Sequence, residues 1–164
     1  MSVELHRPYL VGQVPALGTH ILVEATPSEC SALALRMGLP EVLELRCRFD
    51  LHRETNAVIR ASGVLSARVV QTCVLTLDDF AATVEEVFTV RFVPAGTEND
   101  DLDPESEDEI PYDNGTIDLG EAASEQLGLG LDPYPRAPGA ELPAIEEEAE
   151  PHPFAALGRL QRPN

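Results

Sequence analysis

The 164-residue chain contains no lysine and no tryptophan; its eleven basic residues are all arginine. Without lysine there is no Walker-type phosphate lysine, no Schiff-base lysine and no lysine general base, so several enzyme classes are excluded at once. Aromatic residues are scarce, with five Phe and three Tyr, and the core has to be built from aliphatic side chains and alanine. Cys30, Cys47 and Cys73 are an odd number at wide spacing, unlike a secreted disulfide framework. No basic stretch followed by an apolar one opens the chain, and no run reaches the roughly 18 apolar residues of a membrane helix. These absences point to a cytoplasmic protein without membrane contact. The length suits one ordinary domain with some irregular chain.

What is present in excess is acid. Twenty-nine Asp and Glu give a formal charge of −18, and the excess is uneven. Residues 1–70 hold seven acids and seven arginines, so the whole −18 falls on residues 71–164. Such a field repels phosphate and anionic surfaces and attracts cationic partners.

The short β-branched segment Thr19–Ala25 runs into a helix-start signal, Thr26-Pro27-Ser28-Glu29. Thr26 as N-cap, Pro27 at the first helical position and Glu29 three residues after the cap predict a capping box. The helix continues from Cys30 to Met37 and stops at Gly38 and Pro40. From Val42 to Leu51 the alternation predicts a half-buried strand, with Leu43, Leu45, Cys47, Phe49 and Leu51 on one side. A long extended stretch follows over Val58–Cys73, with Gly63 as the position for a bulge. Another alternating strand carries Val84, Phe88, Val90 and Phe92 to Pro94. Short connections between these strands predict an antiparallel sheet.

Eight of the twelve residues from Glu98 to Glu109 are acidic, too polar to offset the entropy of ordering, so 95–115 is expected to be a mobile loop. Asp118 and Glu121 repeat the capping-box pattern before a helix reaching about Gly130 that buries Leu119, Ala122, Ala123 and Leu127. The Pro-rich stretch Asp132–Gly139 breaks it. Residues 140–164 read as a flexible tail in which Phe154, Leu157 and Leu160 form one face of a short amphipathic segment, 153–162. The expected class is therefore α+β. A single domain over 1–139 combines an antiparallel sheet of four or five strands with two helices, an acidic mobile insertion and the tail.

Chemical motifs are weak. Cys73 has no recognisable base among His6, His20, His52 and His152, and a buried structural cysteine is the expected role. Zinc is disfavoured by the lack of C-x-x-C or a close His pair. Asp101, Asp103 and Glu105 fit alternate calcium-loop positions, but Ser106 stands at the glycine position and Tyr112 at the bidentate glutamate. Gly128-Leu129-Gly130 has Pro133 where a dinucleotide loop needs its third glycine. No cofactor and no small-molecule substrate are expected. Arg46, Arg48, Arg53, Arg60 and Arg68, with His52, offer a basic stripe on a sheet face, diluted by Glu44, Asp50 and Glu54.

Taken together, Val69–Asp78 (VVQTCVLTLD), Val84–Pro94, Ile117–Glu121 (IDLGE), Glu125–Leu127 (EQL), Leu131–Arg136 (LDPYPR) and Pro153–Leu157 (PFAAL) resemble the YceD family, in a form similar to its alphaproteobacterial branch. The resemblance spans about residues 10–160. It implies a cytoplasmic, non-enzymatic factor for accumulation of the large-subunit (23S) ribosomal RNA. One departure concerns a paired C-x-R-C of many members, matched here by Val70, Gln71, Thr72 and Cys73, so no metal or redox role follows from the pair. Candidate partner- or RNA-binding residues are Arg46, Arg48, Gln71, Cys73, Gln126, Tyr134, Arg136, Phe154 and Leu157; Thr26, Glu29, Asp118 and Glu121 are expected to be structural caps. The expected function is ribosome biogenesis by an acidic adaptor that binds a basic ribosomal protein or assembly factor. Direct ribosomal RNA binding through the Arg face is the alternative, and a Cys-dependent enzyme a remote one.

Overall fold

A computed structural model describes residues 4–55, 57–98 and 107–142. Strand β1 (Pro8–Leu10) leads through a single 3-10 turn (Val11–Gln13) to β2 (Thr19–Glu24) and helix α1 (Pro27–Met37). Three long strands follow, β3 (Glu41–Arg53), β4 (Ile59–Thr72) and β5 (Asp79–Pro94), then β6 (Asp108–Tyr112), β7 (Thr116–Asp118) and α2 (Leu119–Gly130). The main sheet has the order β2-β3-β4-β5-β6, and β1 pairs with β7 in a separate two-stranded sheet. The α+β class holds.

Strand β6 overturns both the purely antiparallel sheet and the mobile loop expected over 95–115. The sheet is mixed, because β6 lies parallel to β5, Val90 to Pro94 beside Asp108 to Tyr112. That strand also falls inside the stretch expected to be a mobile loop, so 107–115 is built chain; residues 99–106 lie outside the described residues. What holds so acidic a segment is tertiary. Arg60 meets Glu107, Arg91 meets Glu109 at 2.7 Å, and the Tyr112 hydroxyl donates to the Ala57 carbonyl. The tail beyond Leu142, with Phe154, Leu157 and the segment 153–162, is likewise outside the described residues.

Alternation places Leu45, Cys47, Phe49 and Leu51 of β3, and Ile59, Ala61, Leu65, Ala67 and Val69 of β4, on one buried face. Both helices cover that face, α1 against β3 and α2 against β4 and β5. The register slips between Val42 and Glu44, so Val42 is buried and Leu43 is 38% exposed, against the expected inward Leu43. Gly63, by contrast, sits in an unbroken ladder opposite Phe49 and Phe88. It is not a bulge: a β-carbon there would lie 2.1 Å from the Phe88 ring, which occupies the space the glycine leaves.

The helix caps tie the amino terminus to both helices. Thr26 Oγ1 accepts from the Glu29 N–H, the Glu29 carboxylate accepts from the Thr26 N–H, and Gly38 ends α1 in the left-handed conformation. Asp118 accepts from the N–H groups of Gly120 and Glu121 and also from that of Arg7. The second capping box stays half-made, since the Glu121 carboxylate faces Arg36 at 2.8 Å. Arg7 grips Glu29 with both terminal nitrogens, at 2.7 and 2.9 Å, and reaches the Glu24 carbonyl at 2.8 Å.

The Arg7 hydrogen bonds hold the Glu29 carboxyl down at about 2, against the opposing effect of burial. A depressed carboxyl stabilises the fold above its unfolded value of about 4.3, and that contribution is lost as pH falls from there toward 2. Arg7→Met should therefore cost about 1–2 kcal/mol at neutral pH, modest because the guanidinium is a third exposed. Urea titrations of both proteins at pH 7 and pH 2.5 measure it: the gap between them should narrow at the lower pH, and a constant gap would contradict the assignment.

Candidate partner-binding surfaces

The face of the main sheet away from the helices carries the residues of the expected basic stripe. Rows run across the strands by register: Glu24, Arg46, Ser66 and Glu85; Leu22, Arg48, Val64 and Val87; His52, Arg60, Arg91 and Glu109. Arg46 pairs with Glu24 at 2.7 Å, Arg60 with Glu107, Arg68 with Glu44 at 4.0 Å, and Arg91 with both Glu54 and Glu109. Arg53 leaves the stripe altogether, its guanidinium donating to the carbonyls of Val11 and Val14 at 2.6 and 2.9 Å. Arg48 has no carboxylate partner among the described residues and lies between the exposed Leu22 and Val64. This face is thus a ladder of paired charges crossed by one row in which Leu22, Val64 and Val87 flank Arg48. The apolar row escapes sequence reading because Leu22 and Val87 alternate as surface positions should, and only the register aligns them.

A second surface lies at the end of the sheet where two distant motif segments meet. The Gln71 side-chain amide donates to the Asp132 carbonyl at 3.1 Å, and the Val74 N–H donates to the Pro135 carbonyl at 2.9 Å. Gln71 and Cys73 are buried by this contact, so neither presents its side chain at the surface. The loop after β4 closes tightly: Cys73 N–H reaches the Asp78 carbonyl at 2.8 Å, and Leu77 takes a left-handed conformation, φ 62°. Hydrogen bonds from the Thr76 hydroxyl and from the backbone around Ala137, Thr76 and Leu75 bring the Cys73 thiol down to about 7, with burial opposing them. The Cys47 thiol, deep in the core, is pushed up to about 12 by burial.

Around this junction Gly38, Leu39, Gln71, Asp132, Pro133 and Pro135 line a groove of about 370 Å³. Tyr134 is 73% exposed and Arg136 is exposed, while Gln126 is half-buried on α2. The structure therefore brings Gln71, Cys73, Tyr134 and Arg136 into one region and leaves Arg46 and Arg48 on the sheet face. Among the described residues no group of three His, Cys, Asp or Glu converges as metal ligands would, and no helix is long and apolar enough to cross a membrane.

One mixed sheet, backed on one face by two helices and carrying paired charges on the other, defines an α+β protein. The chain belongs to the YceD family: the family model described as large ribosomal RNA subunit accumulation protein YceD matches residues 61–161. No curated protein and no solved structure matches the chain. The match begins in β4 and takes in both segments of the junction, Val69–Asp78 and Leu131–Arg136.

Proposed function

We propose that this chain supports accumulation of large-subunit ribosomal RNA as an acidic adaptor that binds a basic ribosomal protein or assembly factor, acting by binding and without catalysis. The observation that carries this reading is the neutralisation of the sheet-face arginines. Four of them already face carboxylates, which leaves few cations to replace the counterions of a phosphate backbone. The formal charge of −18 acts the same way, steering cationic partners toward the chain and RNA away from it.

Affinity purification from cells, with nuclease treatment and identification of both protein and RNA, tests the reading. A basic ribosomal protein or assembly factor that stays bound after nuclease is the expected result. Recovery of ribosomal RNA directly crosslinked to the Arg48 face, with no such protein, would transfer the chain to the RNA-binding class. Replacing 99–106 with Gly and Ser removes Asp100, Asp101, Asp103 and Glu105 and takes the charge from −18 to −14. It leaves the pairs of Glu107 and Glu109 intact, and it should slow association with the basic partner and flatten its salt dependence. Loss of the gene should lower mature large-subunit RNA relative to small-subunit RNA.

A further inference from the structure

Strand β5 is sixteen residues long, and β6 covers only its last five, Val90 to Pro94. Along its earlier part no strand pairs with the side away from β4 among the described residues. Which backbone groups are left over follows from the hairpin. The Cys73 N–H donates to the Asp78 carbonyl, which makes those two residues a hydrogen-bonded pair, and the register then runs without a shift from Thr72 opposite Asp79 to Ile59 opposite Phe92. Antiparallel pairs alternate between bonded and non-bonded, so the even-numbered residues of β5 bond to β4. Ala81, Thr83, Glu85 and Val87 turn their N–H and C=O groups to the open edge.

An edge of this length is a template for another strand unless it is guarded. Here the side chains choose which strand. Glu85 and the 81% exposed Val87 point to the open sheet face, and Glu86 points to the helix side beneath Gly130. Two carboxylates repel a second copy of the same edge, where they would face each other, and they complement a cation. Val87 also ends the apolar row that runs from Leu22 through Val64.

We infer that the open edge of β5, from Ala81 to Val87, is the docking site for an extended basic segment of a protein partner, which adds a strand beside β5 with a cationic residue next to Glu85 and an apolar one next to Val87. Main-chain hydrogen bonds supply the binding, and the two neighbouring pockets of charge and apolar surface supply the choice of sequence. The partner segment therefore carries basic and apolar residues two apart. This inference rests on the adaptor reading and names the surface it uses.

The test uses the full-length chain, labelled with nitrogen-15, and the blocked peptide Thr-Arg-Thr-Val-Thr-Arg-Thr-Val-Thr, with a version carrying Glu for Arg as control. The expected result is slowed amide exchange at Ala81, Thr83, Glu85 and Val87, weaker binding at higher salt, and no response to the control peptide. Glu85→Arg should weaken binding about tenfold. Thr83→Pro, which deletes an outward N–H and spares the ladder to β4, should abolish it; Glu85→Arg keeps the test decisive if the proline variant fails to fold. Protection elsewhere on the chain, the same protection on raising protein concentration alone, or the same protection with single-stranded RNA would overturn the inference. If the Glu85→Arg chain still recovers from cells the basic partner that the native chain recovers, the edge is not the site and the adaptor reading stands. If the native chain recovers no basic partner, both fall.

Discussion

Gly120→Ala should destabilise the protein by about 3 kcal/mol, the reverse of its usual effect in a helix, where alanine gains about 1 kcal/mol over glycine. A β-carbon on Gly120 would lie 2.5 Å from the Leu5 carbonyl oxygen and 2.9 Å from the Arg7 nitrogen. Both are backbone atoms of a segment pinned to α2, by the Arg7 N–H to Asp118 at 2.9 Å and the Leu119 N–H to the Arg7 carbonyl at 3.1 Å. Neither can move aside without releasing the amino-terminal strand. Chemical denaturation measures the loss, and amide exchange should quicken first at Arg7 and Leu119. An unchanged or raised midpoint would show that the approach is looser than the distances say.

Phe49→Ala should cost about 4 kcal/mol. Phe49 is fully buried at the centre of the sheet and meets Phe88 edge-on, with ring centroids 5.7 Å apart and planes at 79°. Gly63 lies between them in the register, so the two rings and the glycine form one packing unit. Gly63→Ala would push the Phe88 ring aside. In the Phe49→Ala background the vacated volume can take that ring, and the second substitution should cost less there than in the native chain. Equal costs in both backgrounds, from denaturation of the four proteins, would dissolve the unit.

Much of this fold is legible in the sequence, and the failures have physical causes. Thr26 and Glu29 announce α1 because a capping box is local chemistry, satisfied within four residues. Alternation reveals β3 from Leu45 onward, but it carries no mark of the slip at Val42, where the ladder and not the strand changes step. Gly63 reads as a bulge in the sequence because strand glycines often are; its actual reason, the Phe88 ring, belongs to another strand. The parallel β6 is illegible for a stronger reason: Asp108, Glu109 and Pro111 offset the strand propensity of Ile110 and Tyr112, and Arg60, Arg91 and β5 supply what the pentapeptide lacks. At the candidate surfaces, Tyr134 and Arg136 are exposed, whereas Gln71 and Cys73 are consumed in holding the Pro-rich segment down. The open edge of β5 had no sequence signal at all, since an edge is defined by the neighbour a strand does not have.

The pairing of β1 with β7 joins residues more than a hundred positions apart; Arg7 and Asp118 are separated by 111. The hairpins β3–β4 and β4–β5 close short loops, and β2 joins β3 through α1, so these strands can form in the order in which they are synthesised, each on the edge of the last. The amino-terminal strand has no such option, because its mate and the helix it rests on come after every other described strand. Of the described strands, β1 is thus made before its mate β7 by the whole length of the others and can be placed only with it. Until then the Arg7 anchor has no Asp118 to hold its backbone, and a growing chain carries that strand unpaired while most of its sheet is already built.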